Sequence, residues 1–147
     1  MTKVLYTARA TVTGGRVAGH GRTSDGALEV GLGLPPEMGG EADGGKTNPE
    51  QLFAVGYASC FESALSVVAR REKAEVGDAT IDSRVSLHPT EERGFELSVA
   101  LDVTLPAVDD PEQAVRLVAA AHRVCPYSNA TRGNIDIALT ANGQPVG

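Results

Sequence analysis

The sequence predicts a single α+β domain over residues 1–147, in the order βββ-α-ββ-α-β with mainly antiparallel pairing. Two observations carry this. Apolar residues alternate at Leu28, Val30, Leu32 and Leu34, at Ile81, Val85 and Leu87, and at Phe95, Leu97, Val99, Leu101, Val103 and Leu105. Between and after these strand patterns lie two helical ones. The first, Leu52 to Ala69, carries one charge, Glu62; the second opens at Asp109-Asp110-Pro111-Glu112.

Taken in order, residues 3–12 read as a strand, Gly14-Gly15 as a turn and residues 16–23 as a weak strand or loop. Ser24-Asp25-Gly26 is another turn before the alternation at Leu28 to Leu34. Residues 35–46, with Pro35-Pro36, Gly39-Gly40 and Gly44-Gly45, form a long loop, a length that often serves function. Thr47 and Asn48 are both good helix caps, Pro49 suits the first helical position, and Glu50 suits the positive end of the helix dipole. The helix that follows is apolar or small on nearly every side and should be buried all round. Gly56, Ala58, Ser59, Ser63 and Ala64 would admit another backbone. Residues 80–88 and 95–105 form a hairpin. The second helix must end near Cys125, because Pro126 disfavours helical geometry in the residue before it. Ile135, Ile137 and Leu139 give a last strand. Six short strands cannot wrap an all-apolar helix completely, which predicts that a second copy covers part of it as a two-fold dimer.

Hydrophobic residues make up 41% and aromatics 4%, with no Trp, so the core must rest on aliphatic side chains. The formal charge of −6 and the absence of any basic stripe argue against nucleic-acid binding. No apolar run is expected to reach membrane-spanning length, and the start Met1-Thr2-Lys3-Val4 does not resemble a signal peptide. The expected compartment is the cytoplasm, where thiols stay reduced and two cysteines are inert or redox-active.

Cys60 lies in the apolar helix and reads equally as a buried structural cysteine. Cys125, at a helix end in a turn-rich segment, reads equally as an exposed, tolerated thiol. Arg16 has the plain reading of a solvated turn residue, and Glu50 that of a dipole residue. The local words are more specific. They are Thr13-Gly14-Gly15-Arg16, Thr47-Asn48-Pro49-Glu50-Gln51, Gly56-Tyr57-Ala58-Ser59-Cys60-Phe61 and the run from Cys125-Pro126-Tyr127-Ser128-Asn129 to Asn134. Together they resemble the organic hydroperoxide resistance family of the OsmC-like superfamily, from Leu5 to about Thr140. Lys46 stands where a small residue is more usual, and Val17 where a polar one is common.

The resemblance implies an OsmC-like fold, with antiparallel sheets around central helices, in an intertwined homodimer whose active sites lie at the subunit interface. It implies an organic hydroperoxide reductase with Cys60 as peroxidatic cysteine, Cys125 as resolving cysteine, and Arg16 and Glu50 as active-site residues. It implies no bound cofactor or metal. Electrons would come from an external dithiol, a lipoylated protein or dihydrolipoamide. Elementary chemistry agrees with these roles. Burial raises a thiol's pKa, and a guanidinium both offsets that and polarises the O–O bond. A carboxylate can hold the guanidinium bidentately. Glu50 and Cys60 are ten positions apart, about 15 Å of helix rise. Either the helix breaks, near Gly56, or the site combines groups of two chains; the second is favoured. Leu52, Phe53, Phe61 and the glycine-rich loop would supply apolar walls suited to bulky peroxides.

His20, His88 and His122 show no metal-ligand spacing and read as surface residues, and Glu91-Glu92 as a solvated turn. Three other functions compete: a peroxidase of the osmotically induced sister branch, a non-catalytic dimeric binder of small ligands, and a redox sensor that closes the same disulfide without turnover.

Overall fold

The computed structural model describes residues 2–41 and 45–147. Met1 and the stretch 42–44, part of the expected glycine-rich loop, lie outside the described residues. The chain divides into two compact units, Met1–Leu52 and Phe53–Gly147.

The first unit is a four-stranded sheet in the order β1-β2-β3-β4. Strands β1 (Ala10–Thr13), β2 (Ala18–Thr23) and β3 (Glu29–Gly33) pair antiparallel, and the short β4 (Lys46–Thr47) joins β3 in parallel. The first strand begins at Ala10, not at residue 3. Val4, Leu5 and Tyr6 are strongly exposed. A strand needs a neighbour to take its backbone hydrogen bonds, and β2 supplies one from Ala10 onward. Gly14 and Gly15 turn β1 into β2 with positive φ of 73° and 63°. A side chain on Gly14 would meet the Ala18 carbonyl oxygen at 2.4 Å. Pro36–Met38 forms a single 3-10 turn within the expected loop.

Helix α1 (Pro49–Glu72) starts where the sequence predicts. Asn48 is its cap, its Oδ1 accepting from the Gln51 N–H at 2.8 Å. The helix ends at Lys73, in the left-handed region at φ 55°, where the Ala74 N–H returns to the Ala69 carbonyl. It is unbroken, which removes a break near Gly56 as an option.

The second unit packs α1 and α2 (Pro111–Val124) on a sheet ordered β5-β6-β7-β8. Strands β5 (Thr80–Pro89) and β6 (Phe95–Thr104) form the expected hairpin, from Thr80 opposite Thr104 to Pro89 opposite Phe95. Strand β7 (Ile137–Ala141) joins β6 in parallel, an exception to the mainly antiparallel pairing. The core combines Tyr57, Phe61, Leu65 and Val68 of α1 with Leu117, Val118 and Ala121 of α2. Val99, Leu101 and Val103 of β6 and Leu139 of β7 complete it. Two elements of this unit were not predicted, as β4 was not in the first. Strand β8 (Gln144–Val146) returns from β7 through Asn142-Gly143, both with positive φ. Helix α3 (Pro126–Thr131) follows α2 directly.

Burial of α1 is one-sided rather than all round: Val55 is 71% exposed. By length and composition α1 is also apolar enough to cross a membrane, against the expectation that no run reaches that length. Its Tyr57, Phe61, Leu65 and Val68 nevertheless pack as a core helix does.

Candidate active site

In the first unit, Arg16 and Glu50 form a closed pair. Arg16 Nη1 donates to Glu50 Oε1 and Nη2 to Oε2, each at 2.8 Å. The turn after Gly15 presents the arginine, and the first turn of α1 presents the carboxylate. Both side chains are largely shielded, at 31% and 17% exposure. The guanidinium's hydrogen bonds hold Glu50 below the ordinary carboxylate range, and Glu50 in turn raises Arg16. The plain readings fail: Arg16 is no freely solvated turn residue, and Glu50 does more than complement the helix dipole.

In the second unit, Cys60 and Cys125 come together. Both are free thiols. Cys60 is half-buried and packs against the core cluster to which Cys125 belongs. Cys125 is wholly buried, which corrects the reading of an exposed thiol. Pro126 ends α2 at Cys125, as expected, but the chain then turns straight into α3 and carries the sulfur inward. Burial pushes the Cys60 thiol above its ordinary pKa. The Tyr127 backbone N–H pulls it down, and the adjacent Cys125 thiol raises it further.

Around the two sulfurs lies a polar and aromatic cluster that sequence reasoning missed. The hydroxyls of Tyr57 and Ser128 meet at 2.8 Å, and Ser128 Oγ lies 2.8 Å from His122 Nδ1. Tyr57 Oη also reaches Thr131 Oγ1 at 3.2 Å, and Thr131 Oγ1 donates to the Tyr127 carbonyl. His122, expected as a surface residue, is half-buried and bonded into this cluster. Phe53, Tyr57 and Tyr127 pack edge to face or tilted, with centroids 5.6–6.1 Å apart. Phe61 cannot wall a substrate site, since it is fully buried in the core. The one available signal was the spacing of Tyr57 before Cys60 and of Ser128 after Cys125, each three residues, which is one helical turn.

The sequence pattern of OsmC-like proteins matches residues 41–140. The chain is 52% identical over 139 residues to the organic hydroperoxide resistance protein of Xanthomonas axonopodis pv. citri (strain 306), covering 94% of this chain and 95% of that one. The chain belongs to the OsmC-like family, in its organic hydroperoxide resistance branch. Solved structures agree. An organic hydroperoxide resistance protein from Legionella pneumophila superposes with a TM-score of 0.87 at 51% identity, over 94% of this chain and 98% of that one. OhrB of Bacillus subtilis gives 0.82 at 45% identity, over 93% and 98%. The α+β class and OsmC-like fold expected from the sequence are thus those of this family, whose branch is not the osmotically induced one.

Proposed function

We propose that the protein is a thiol peroxidase that reduces organic hydroperoxides to alcohols. The observation that carries this is a half-buried free thiol, Cys60, packed against the core cluster that holds a second, fully buried free thiol, Cys125. The names of the relatives supply the substrate class. The Cys60 thiolate attacks the terminal peroxide oxygen, the O–O bond breaks, and the alkoxide leaves as alcohol after taking a proton. The cysteine sulfenic acid so formed condenses with the Cys125 thiol, giving a disulfide and water. An external dithiol, such as dihydrolipoamide or a lipoylated protein, takes on the oxidation and restores both thiols. No bound cofactor or metal enters.

Cys60 needs a cation, because burial alone holds its thiol protonated. Arg16 is the group suited to this, and Glu50 the carboxylate that orients it. In this reading the active form is a homodimer, which would cover the open face of α1 around Val55 and give the exposed N-terminal segment a strand partner. The compartment is the reducing cytoplasm, and α1 is a core helix rather than a membrane span.

The test is steady-state consumption of cumene hydroperoxide with dihydrolipoamide by the wild type, Cys60→Ser and Cys125→Ser. Turnover lost in Cys60→Ser, and arrested after one sulfenic acid per site in Cys125→Ser, is the expected result. Consumption unaffected by Cys60→Ser would overturn the proposal. Disulfide formation without turnover would make the protein a sensor, and no reaction with peroxide at all would leave a ligand-binding protein. Preference for cumene hydroperoxide over hydrogen peroxide is expected, and equal efficiency would count against an organic substrate.

A further inference from the structure

Cys125 stands at the corner between two helices, in extended conformation at φ −62° and ψ 123°. Its N–H donates to Ala121 and its carbonyl accepts from Asn129, but each of these bonds belongs to one helix and neither joins the two. Side chains close the corner instead. His122, three residues before Cys125, reaches Ser128, three residues after it, at 2.8 Å. The Arg132 guanidinium also donates to the His122 carbonyl oxygen.

Ser128 is wholly buried, and its Oγ has a second partner, the hydroxyl of the equally buried Tyr57. Tyr57 lies on α1 one turn before Cys60. A continuous chain of hydrogen bonds therefore runs from the corner that carries Cys125 to the helix that carries Cys60. Buried polar groups in such a chain fix one geometry, because every alternative leaves a partner unsatisfied. Burial first, then Arg132 and Arg123, holds His122 below its ordinary pKa. A neutral imidazole can accept the Ser128 proton at Nδ1, which leaves Ser128 Oγ free to accept from Tyr57.

We infer that His122 is a positioning residue for the cysteine pair, holding the Cys125 corner through Ser128 and Tyr57 against the turn of α1 that carries Cys60. The inference rests on the proposed disulfide cycle and adds the group that sets how readily the two sulfurs join.

The test is the closing equilibrium of the Cys60–Cys125 disulfide in glutathione redox buffers, measured on the full chain without peroxide. His122→Ala is expected to lower the closing constant about tenfold, the loss of roughly one hydrogen bond. His122→Asn, whose side-chain oxygen can accept where Nδ1 does, restores it to within about threefold. Tyr57→Phe keeps the ring and shifts the constant in the same direction. Thermal unfolding of the oxidised and reduced forms is followed alongside, since a stability loss common to both leaves the closing constant unmoved. A wild-type constant in His122→Ala, or equal losses in His122→Ala and His122→Asn, overturns the inference. Wild type that closes the disulfide, with the variants behaving as stated, but consumes no peroxide defeats the peroxidase reading alone. Wild type that cannot close it defeats both.

Discussion

Gly56 and Tyr127 touch: a β-carbon at position 56 would stand 2.8 Å from the Tyr127 hydroxyl oxygen and 3.3 Å from Cζ. The glycine in the middle of α1 thus makes room for a ring of α3 rather than for another backbone. The Tyr127 backbone N–H in turn pulls the Cys60 pKa down. Gly56→Ala would ordinarily strengthen a helix interior by about 1 kcal/mol. Here it is expected to lower the melting temperature, because the ring must move. In a Tyr127→Phe background, where the nearest atom is gone, the same change is expected to be neutral or stabilising. Thermal unfolding of the four proteins of this cycle decides, and additive effects would refute the contact.

Burial raises the pKa of Cys60 most, the Tyr127 backbone N–H opposes it, and Cys125 raises it further. Removing that second thiol in Cys125→Ala is expected to shift the pH profile of Cys60 alkylation by iodoacetamide towards lower pH. The burial contribution stays. An unchanged or upward-shifted profile would mean that the two sulfurs do not interact in solution.

Arg16 holds the Glu50 carboxyl below its ordinary range, so the carboxylate is stabilised in the folded state only. The resulting stability is full above the unfolded glutamate's pKa and is lost as pH falls through the lower folded value. Glu50→Gln is expected to cost about 1–2 kcal/mol at neutral pH. The gap to wild type should close in acid, below the ordinary glutamate range. Denaturant unfolding from pH 7 to pH 3 measures it; a gap constant across that range would rule out the ion pair as its source.

Val55 is 71% exposed on the apolar helix, and Val4, Leu5 and Tyr6 are 71%, 92% and 79% exposed. Apolar exposure of this extent predicts self-association. Sedimentation equilibrium at micromolar concentration is expected to give twice the mass of the chain, and Val55→Glu to shift it towards the single chain. A wild type that sediments as one chain would remove the dimer from the proposed function.

Local chemistry was legible in the sequence. The β5–β6 hairpin followed from strict alternation, the start of α1 from Asn48-Pro49-Glu50, and the end of α2 from Pro126. Asn142-Gly143 also signalled a tight hairpin, and β8 was overlooked although its turn was written there. Pro126 stops α2, yet a proline equally suits the first turn of a new helix, and α3 begins on it. The strand expected at residues 3–12 forms only from Ala10, because β2 offers its ladder partners from there on and the mixed faces of the earlier residues bury nothing.

By itself the sequence determined the element types, the family-typical words, and which four residues to watch. Those depend on backbone preferences and on residue identity, which are properties of neighbours along the chain. Only the tertiary structure decided that Cys125 is buried, that it adjoins Cys60, that Arg16 is clasped by Glu50, and that His122, Ser128 and Tyr57 form one chain. Each of these joins groups far apart in sequence, where hydrogen bonds and burial are fixed by how elements pack and by no local pattern.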